Sequence, residues 1–159
     1  MTVGGVSVGE HDYVRGALEA VGVQLGFWKV AIKPGKPLAF GRLEHRRVLA
    51  LPGNPSSALV TFALFGLPLL RAMQQDNRCT SLGTKIPCAV EIRQNKERLL
   101  LSLGTVVDQD GTSAFLPHRN QSSGATVALA ASDGMALIAS GDSMCEKGTL
   151  VPFLAWSGM

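Results

Sequence analysis

Three short stretches in the first half of this chain have the residue types and spacing to hold an anion. The first is Ile32-Lys33-Pro34-Gly35-Lys36-Pro37. Pro34 and Gly35 are the residues that positions i+1 and i+2 of a type II turn prefer, which would bring Lys33 and Lys36 within about 7 Å at Cα. Each lysine precedes a proline, so its backbone is pushed to an extended conformation and its freedom is limited. Two ammonium groups held close repel, and an anion between them removes that cost. A solvated surface turn with two unengaged lysines is the competing reading.

The second stretch is Leu51-Pro52-Gly53-Asn54-Pro55-Ser56-Ser57-Ala58. Asn54 suits the N-cap and Pro55 the first position of a helix. The free N–H groups and the hydroxyls of Ser56 and Ser57 would then face an anion at a helix N-terminus. Ordinary capping explains the same residues without a ligand. The third stretch is Thr2-Val3-Gly4-Gly5-Val6-Ser7-Val8-Gly9, where glycine permits close backbone approach to a ligand. It matches neither the P-loop nor the complete dinucleotide fingerprint. Asp12 follows it. As a carboxylate it suits a metal or a proton, or simply the first turn of a helix.

These corners need elements to position them. Glu10 to Val21 reads as a helix with Val14, Ala17, Leu18 and Val21 on one face, stopped by Gly22. Val23–Ala31, Leu38–Gly41 and Arg47–Leu51 read as strands, joined at Leu43–Arg46. Pro55 to Met73 reads as an apolar helix kinked or ended near Pro68. After the polar break at Gln74–Asn77, strand-like runs follow at Lys85–Arg93, Arg98–Val107, Ser113–Leu116, Met135–Ala139 and Leu150–Leu154. Asp108–Gly111 reads as a turn and Ala125–Ala131 as a short helix. The expected fold is an α/β layer over residues 1–75 followed by a small all-β, barrel-like domain over 76–159. So few strands in the first layer would leave a sheet edge open.

Composition narrows the function. The 159 residues carry a net charge of +3 and are 46% hydrophobic and 17% charged, a globular balance. The basic excess sits before residue 76. It is too small, and aromatic residues at 6% too few, for a nucleic-acid surface. The apolar run Ser56–Leu70, broken by Gly66 and Pro68, is short of the about 20 residues a membrane span needs. Cys79, Cys88 and Cys145 form no CxxC pair and read as reduced thiols rather than a disulfide frame or zinc site.

In order, the segments GGVSVGEHDY, FWKVAIKPGKP, LPGNPSSA and NQSSGATVALAASDGMALI resemble the C-terminal half of the molybdopterin molybdenumtransferase (MoeA/gephyrin) family. The resemblance runs from residue 2 to about 155. It implies part of a MoaB/MogA-like molybdopterin-binding layer plus a C-terminal β-barrel domain, in a truncated form of a cytoplasmic homodimeric enzyme. The implied reaction inserts molybdate into adenylylated molybdopterin, releases AMP and uses Mg²⁺ or another divalent cation, with a molybdopterin adenylyltransferase as a partner. By the resemblance, Gly4, Gly5 and Ser7 lie in the pterin-nucleotide loop. Asp12, Lys29 and Lys33 are the catalytic positions, with Asp12 a metal ligand. Lys36, Pro37, Asn54, Ser57 and Ser123 line the oxyanion and pterin-phosphate pocket. Val3 stands where the family usually has serine, and Leu103 where it usually has arginine. A non-catalytic binding or scaffold module, or an inactive piece of the same family, is the alternative.

Overall fold

The computed structural model describes residues 1–5, 13–76, 84–122, 124 and 126–158. Ser7, Asp12, Cys79 and Ser123 lie outside them. The first half forms a four-stranded sheet of β1 (Thr2–Val3), β2 (Gln24–Phe27), β4 (Ala39–Leu43) and β5 (Arg46–Leu51), in the order β1-β5-β4-β2. β1 runs parallel to β5, with Thr2 opposite Ala50 and Val3 opposite Leu51. The other two pairs are antiparallel, and a bulge separates Leu25 from Phe27. β1 is an open edge, and Val3 is 64% exposed there.

Alternation along β5 sends Ala50 to one face and Leu49 and Leu51 to the other. Ala39 and Ala50 meet Val14 and Leu18 of α1 (Val14–Ala20), together with Trp28. Ala17 and Val21, expected on the packed side of this helix, are exposed. The helix stops as expected at Gly22, whose φ is +87°. Gly22 N–H donates to Glu19 O (3.0 Å) and Val23 N–H to Leu18 O (2.9 Å), the pair of bonds that satisfies the last carbonyls of a glycine-capped helix.

The opposite face is covered by one continuous helix over Pro55–Met73. It comprises α2 (Pro55–Thr61), π turns over Phe62–Gly66, and α3 (Leu67–Met73). The helix does not end near Pro68. Proline removes the N–H that Leu64 O would accept and presses on that carbonyl. The chain widens into π turns just upstream and continues. By length and composition alone this helix is long and apolar enough to cross a membrane. Here its apolar sides are used within the protein. Phe62, Phe65 and Leu69 pack on Leu38, Leu49 and Leu51, while Val60 and Ala63 pack on a second sheet. The buried residues of the helix lie in α2 and the π turns, and none of α3 is buried.

That second sheet has the order β3-β8-β10-β12-β6, with β9 paired to β8. Its strands are β3 (Ile32–Lys33), β6 (Thr84–Pro87), β8 (Leu99–Gln109), β9 (Thr112–Pro117), β10 (Gly134–Ile138) and β12 (Leu150–Ala155). A small ribbon pairs β7 (Ile92–Arg93) with β11 (Met144–Cys145), and α4 spans Thr126–Ala130. Asp110 and Gly111 both have positive φ and form the two-residue β8–β9 turn. The run Lys85–Arg93, expected as one strand, is split between β6 and β7. The barrel-like expectation is not met by a closed sheet. The outer strands β6 and β9 lie near each other without forming a ladder; just past β6 an isolated bridge joins Cys88 to Phe115, and Ala89 N–H donates to Phe115 O at 2.8 Å. One face of the sheet buries Leu101, Leu103, Met135 and Leu137 against the long helix. The other encloses Phe115, Ile138, Val151 and Phe153 with Cys88 and Cys145.

β3 ties the halves together. These two residues come from the first half of the chain, yet they pair in parallel with β8, Ile32 opposite Leu99 and Lys33 opposite Leu100.

Candidate oxyanion site

The parallel pairing of β1 with β5 puts the ends of both strands on the same side. Gly4 N–H donates to Leu51 O (3.0 Å), and the Gly4 and Gly53 backbones press together. A Cβ at Gly53 would stand 3.2 Å from Gly4 Cα, so the glycines permit this contact. Beyond Pro52 and Gly53 the chain enters the long helix. Asn54 occupies the N-cap in an extended conformation and Pro55 the first helical position. The Asn54 carbonyl accepts the Ala58 N–H (2.8 Å), and the Asn54 side chain makes no capping bond to the helix. Ser57 is buried there.

The Lys33–Lys36 corner is not the type II turn expected. The Lys33–Pro34 peptide is cis, and Gly35 has φ +107°. Tertiary contacts set this corner. Lys33 is committed to β3, and a Cβ on Gly35 would lie 2.5 Å from Thr61 Cγ2 and 3.0 Å from Ile32 Cδ1. The corner is thereby fitted onto the first turns of the long helix, whose Thr61 hydroxyl is itself bonded to Ser57 O at 2.6 Å.

A cavity of about 1240 Å³ opens between these corners and the β-rich half. It gathers Gly5, Lys33, Lys36, Pro37, Asn54 and Ser57 from the sites read in the sequence. Gly4 stands behind it, on Gly53, and exposed Lys29 is not among its lining residues. Ser7, Asp12 and Ser123 fall outside the described residues. The facing wall was not legible in the sequence: Arg93, Arg98, Ser102, His118 and Gln121 line it. Leu103, at the position where arginine was expected from the resemblance, is 3% exposed and packed in the core.

Gln121 shapes that wall. Its Nε2 donates to Leu103 O (2.8 Å) and His118 O (2.7 Å), and its Oε1 accepts the Leu103 N–H (3.0 Å). A side-chain amide thus stands in for a backbone unit and holds the loop after β9 against β8. Lys33, Lys36, Arg93 and Arg98 form no ion pair with any described residue. The single carboxylate lining the cavity among the described residues is Glu91. Such a cavity attracts anions.

The model of a probable molybdopterin binding domain matches residues 1–72, and that of the MoeA C-terminal region (domain IV) matches residues 85–156. The chain belongs to the molybdopterin molybdenumtransferase (MoeA/gephyrin) family. It is 39% identical over 153 residues to the molybdopterin molybdenumtransferase of Synechococcus elongatus, covering 95% of this chain and 36% of that protein. It is 58% identical over 74 residues to the Haemophilus influenzae molybdopterin molybdenumtransferase, covering 46% of this chain and 18% of that one. The chain thus spans about a third or less of these curated relatives. The crystal structure of the molybdopterin biosynthesis protein of Pyrococcus horikosii superposes with a TM-score of 0.68 at 24% identity, over 91% of this chain and 34% of that one, a likeness of fold. Molybdenum cofactor biosynthesis is the family's setting, and a molybdopterin-type small molecule its ligand.

Proposed function

We propose that the cavity serves the insertion of molybdate into adenylylated molybdopterin, with release of AMP. The supporting observation is the meeting of Lys33, Lys36 and Ser57 in one cavity, with both ammonium groups lacking a partner among the described residues. Molybdate and a phosphate ester are both tetrahedral oxyanions, and charge-assisted hydrogen bonds from lysine suit either. The first N–H groups of the Pro55–Met73 helix have no intrahelical acceptor and add partial positive charge beside Ser57.

In this reading Lys33 and Lys36 hold an oxyanion and stabilise the charge that grows on it as the phosphoanhydride opens. Gly5 and Gly53 leave room for close approach of the pterin end. Ser7 and Ser123 keep the substrate-handling roles the resemblance implies, and Lys29 its catalytic one. Asp12 keeps its role as proton or metal handler. The described residues do not form a Mg²⁺ site: they hold no cluster of three His, Cys, Asp or Glu, and Glu91 is the one carboxylate at the cavity. The substrate would arrive from a molybdopterin adenylyltransferase, and the working unit would be a cytoplasmic homodimer.

The test measures molybdate binding to this chain and molybdate-dependent AMP release, by the chain alone and by a full-length relative carrying these 159 residues in place of its own. Binding with little release is expected from the chain alone, and release from the transplant. A folded transplant that releases no AMP sinks the reading.

A further inference from the structure

Among the described residues four lysines and arginines line the cavity, and two of them, Lys33 and Lys36, are the pair read from the sequence. The other two, Arg93 and Arg98, come from the opposite wall. Arg98 immediately precedes β8, and Leu100, Leu101 and Ser102 of that strand also line the cavity. The register of β3 against β8 sets Lys33 beside Leu100, one strand over. Arg98 therefore stands two residues upstream of the neighbour of Lys33, facing the same space.

The segment that carries both arginines is pinned. Gln94 N–H donates to Ser143 O (3.3 Å), Ser143 Oγ donates to Gln94 Oε1 (3.0 Å), and Gly141 N–H donates to Asn95 O (3.0 Å). Asn95 Oδ1 accepts the N–H of Arg98 (3.0 Å) and of Glu97 (3.3 Å). Of the three cations between residues 93 and 98, Lys96 pairs with Asp142 at 3.2 Å and does not line the cavity. Arg93 and Arg98 do line it, and neither has a side-chain partner among the described residues. Glu91 lies in the same wall without bonding either one. At about 1240 Å³ the cavity exceeds the roughly 300–1,000 Å³ of ordinary ligand pockets, far more than one small oxyanion fills.

We propose that Arg93 and Arg98 form a second oxyanion subsite, separate from Lys33 and Lys36, so that the cavity takes two tetrahedral anionic groups at once. This rests on reading the cavity as an oxyanion site. Guanidinium groups present a planar donor fork that matches two oxygens of such a group, which lysine cannot do. Filling both subsites relieves repulsion among four cations.

Equilibrium binding of inorganic phosphate at low salt tests this, with the full chain and variants checked for folding by thermal melting. Wild type is expected to bind two phosphates. Arg93→Gln plus Arg98→Gln binds one, and Lys33→Gln plus Lys36→Gln also binds one. Arg93→Lys plus Arg98→Lys keeps two, with the second weakened at least threefold by loss of the fork. One phosphate in wild type, or two retained in the glutamine variant of the arginines, overturns the proposal. So does an arginine-to-lysine variant indistinguishable from wild type. If the transplant releases no AMP while phosphate stoichiometry still falls from two to one, the proposed reaction fails and the subsite stands. The opposite result removes the subsite alone.

Discussion

Gln121 and Leu103 exchange two hydrogen bonds as paired strand residues do, although one partner is a side chain: Leu103 N–H to Gln121 Oε1 at 3.0 Å, Gln121 Nε2 to Leu103 O at 2.8 Å. Leu103 is buried, so its peptide groups have little access to water. The same Nε2 holds His118 O at 2.7 Å, fixing the loop along the cavity wall. Gln121→Ala leaves the Leu103 N–H and His118 O without these partners, while Leu103 O keeps the His118 N–H (3.0 Å), at a cost of about 1–3 kcal/mol. Gln121→Glu keeps the acceptor and loses both donations, so it should destabilise comparably. Urea unfolding of both variants checks this; a change under about 0.5 kcal/mol, the scale of an ordinary surface substitution, would refute it.

Two glycines should respond in opposite senses to alanine. Gly35 sits at φ +107° with Thr61 Cγ2 2.5 Å from where a Cβ would stand, so Gly35→Ala combines backbone strain with overpacking. A loss of about 1–3 kcal/mol or more is expected, with weaker oxyanion binding as Lys33 and Lys36 shift. Gly16 lies inside α1 with nothing within 4 Å of its missing Cβ. Gly16→Ala should stabilise by about 0.5–1 kcal/mol. Thermal melting of the two proteins side by side reads both signs.

What was legible in the sequence followed local rules. Gly22 ends α1 because a left-handed residue is needed there, and the long helix starts at Pro55, where proline's missing N–H costs no intrahelical bond. Lys33, Lys36, Asn54 and Ser57 do share a cavity. What escaped was non-local. β3 is two residues long, and its partner Leu99–Leu100 is 67 residues further on, so no periodicity announces it. Without that pairing Arg98 has no visible link to Lys33. Gln121 reads as an ordinary loop residue until β8 is placed beside it. At Pro68 the local rule allowed a kink or an end, and the helix instead continues through π turns at Phe62–Gly66.

Charge on the first wall can be probed independently of the second. Each charge-assisted bond lost costs about 1.5–3 kcal/mol, so Lys33→Ala plus Lys36→Ala should weaken molybdate binding at least about tenfold. The control of equal charge change is Lys85→Ala, at an exposed residue away from the cavity, together with Lys96→Ala. The Lys96 ammonium is paired with Asp142 and does not line the cavity, so binding should stay within about twofold. Equal losses in the two variants, measured by calorimetric titration, would mean that binding follows net charge and not the corner.

Cys88 and Cys145 lie in the same core with their Sγ atoms 3.8 Å apart. Burial, then the neighbouring Cys145, pushes the Cys88 thiol up to about 12 from its ordinary value near 9.0. The folded protein therefore keeps a proton that the unfolded chain releases above about pH 9. Because the unfolded state binds fewer protons there, stability falls as pH rises. The contribution is complete below about pH 9 and is lost progressively toward pH 12, with a slope of up to about 1.4 kcal/mol per pH unit. Urea unfolding at pH 8, 9.5 and 10.5 should show this decline, and Cys88→Ala should flatten it after its own fixed loss at pH 8. Identical pH slopes in the two proteins would exclude Cys88 as the source. In the same pH 8 samples, a thiol reagent should leave Cys88 untouched in the folded chain and modify it once urea exposes it, since attack requires an accessible thiolate.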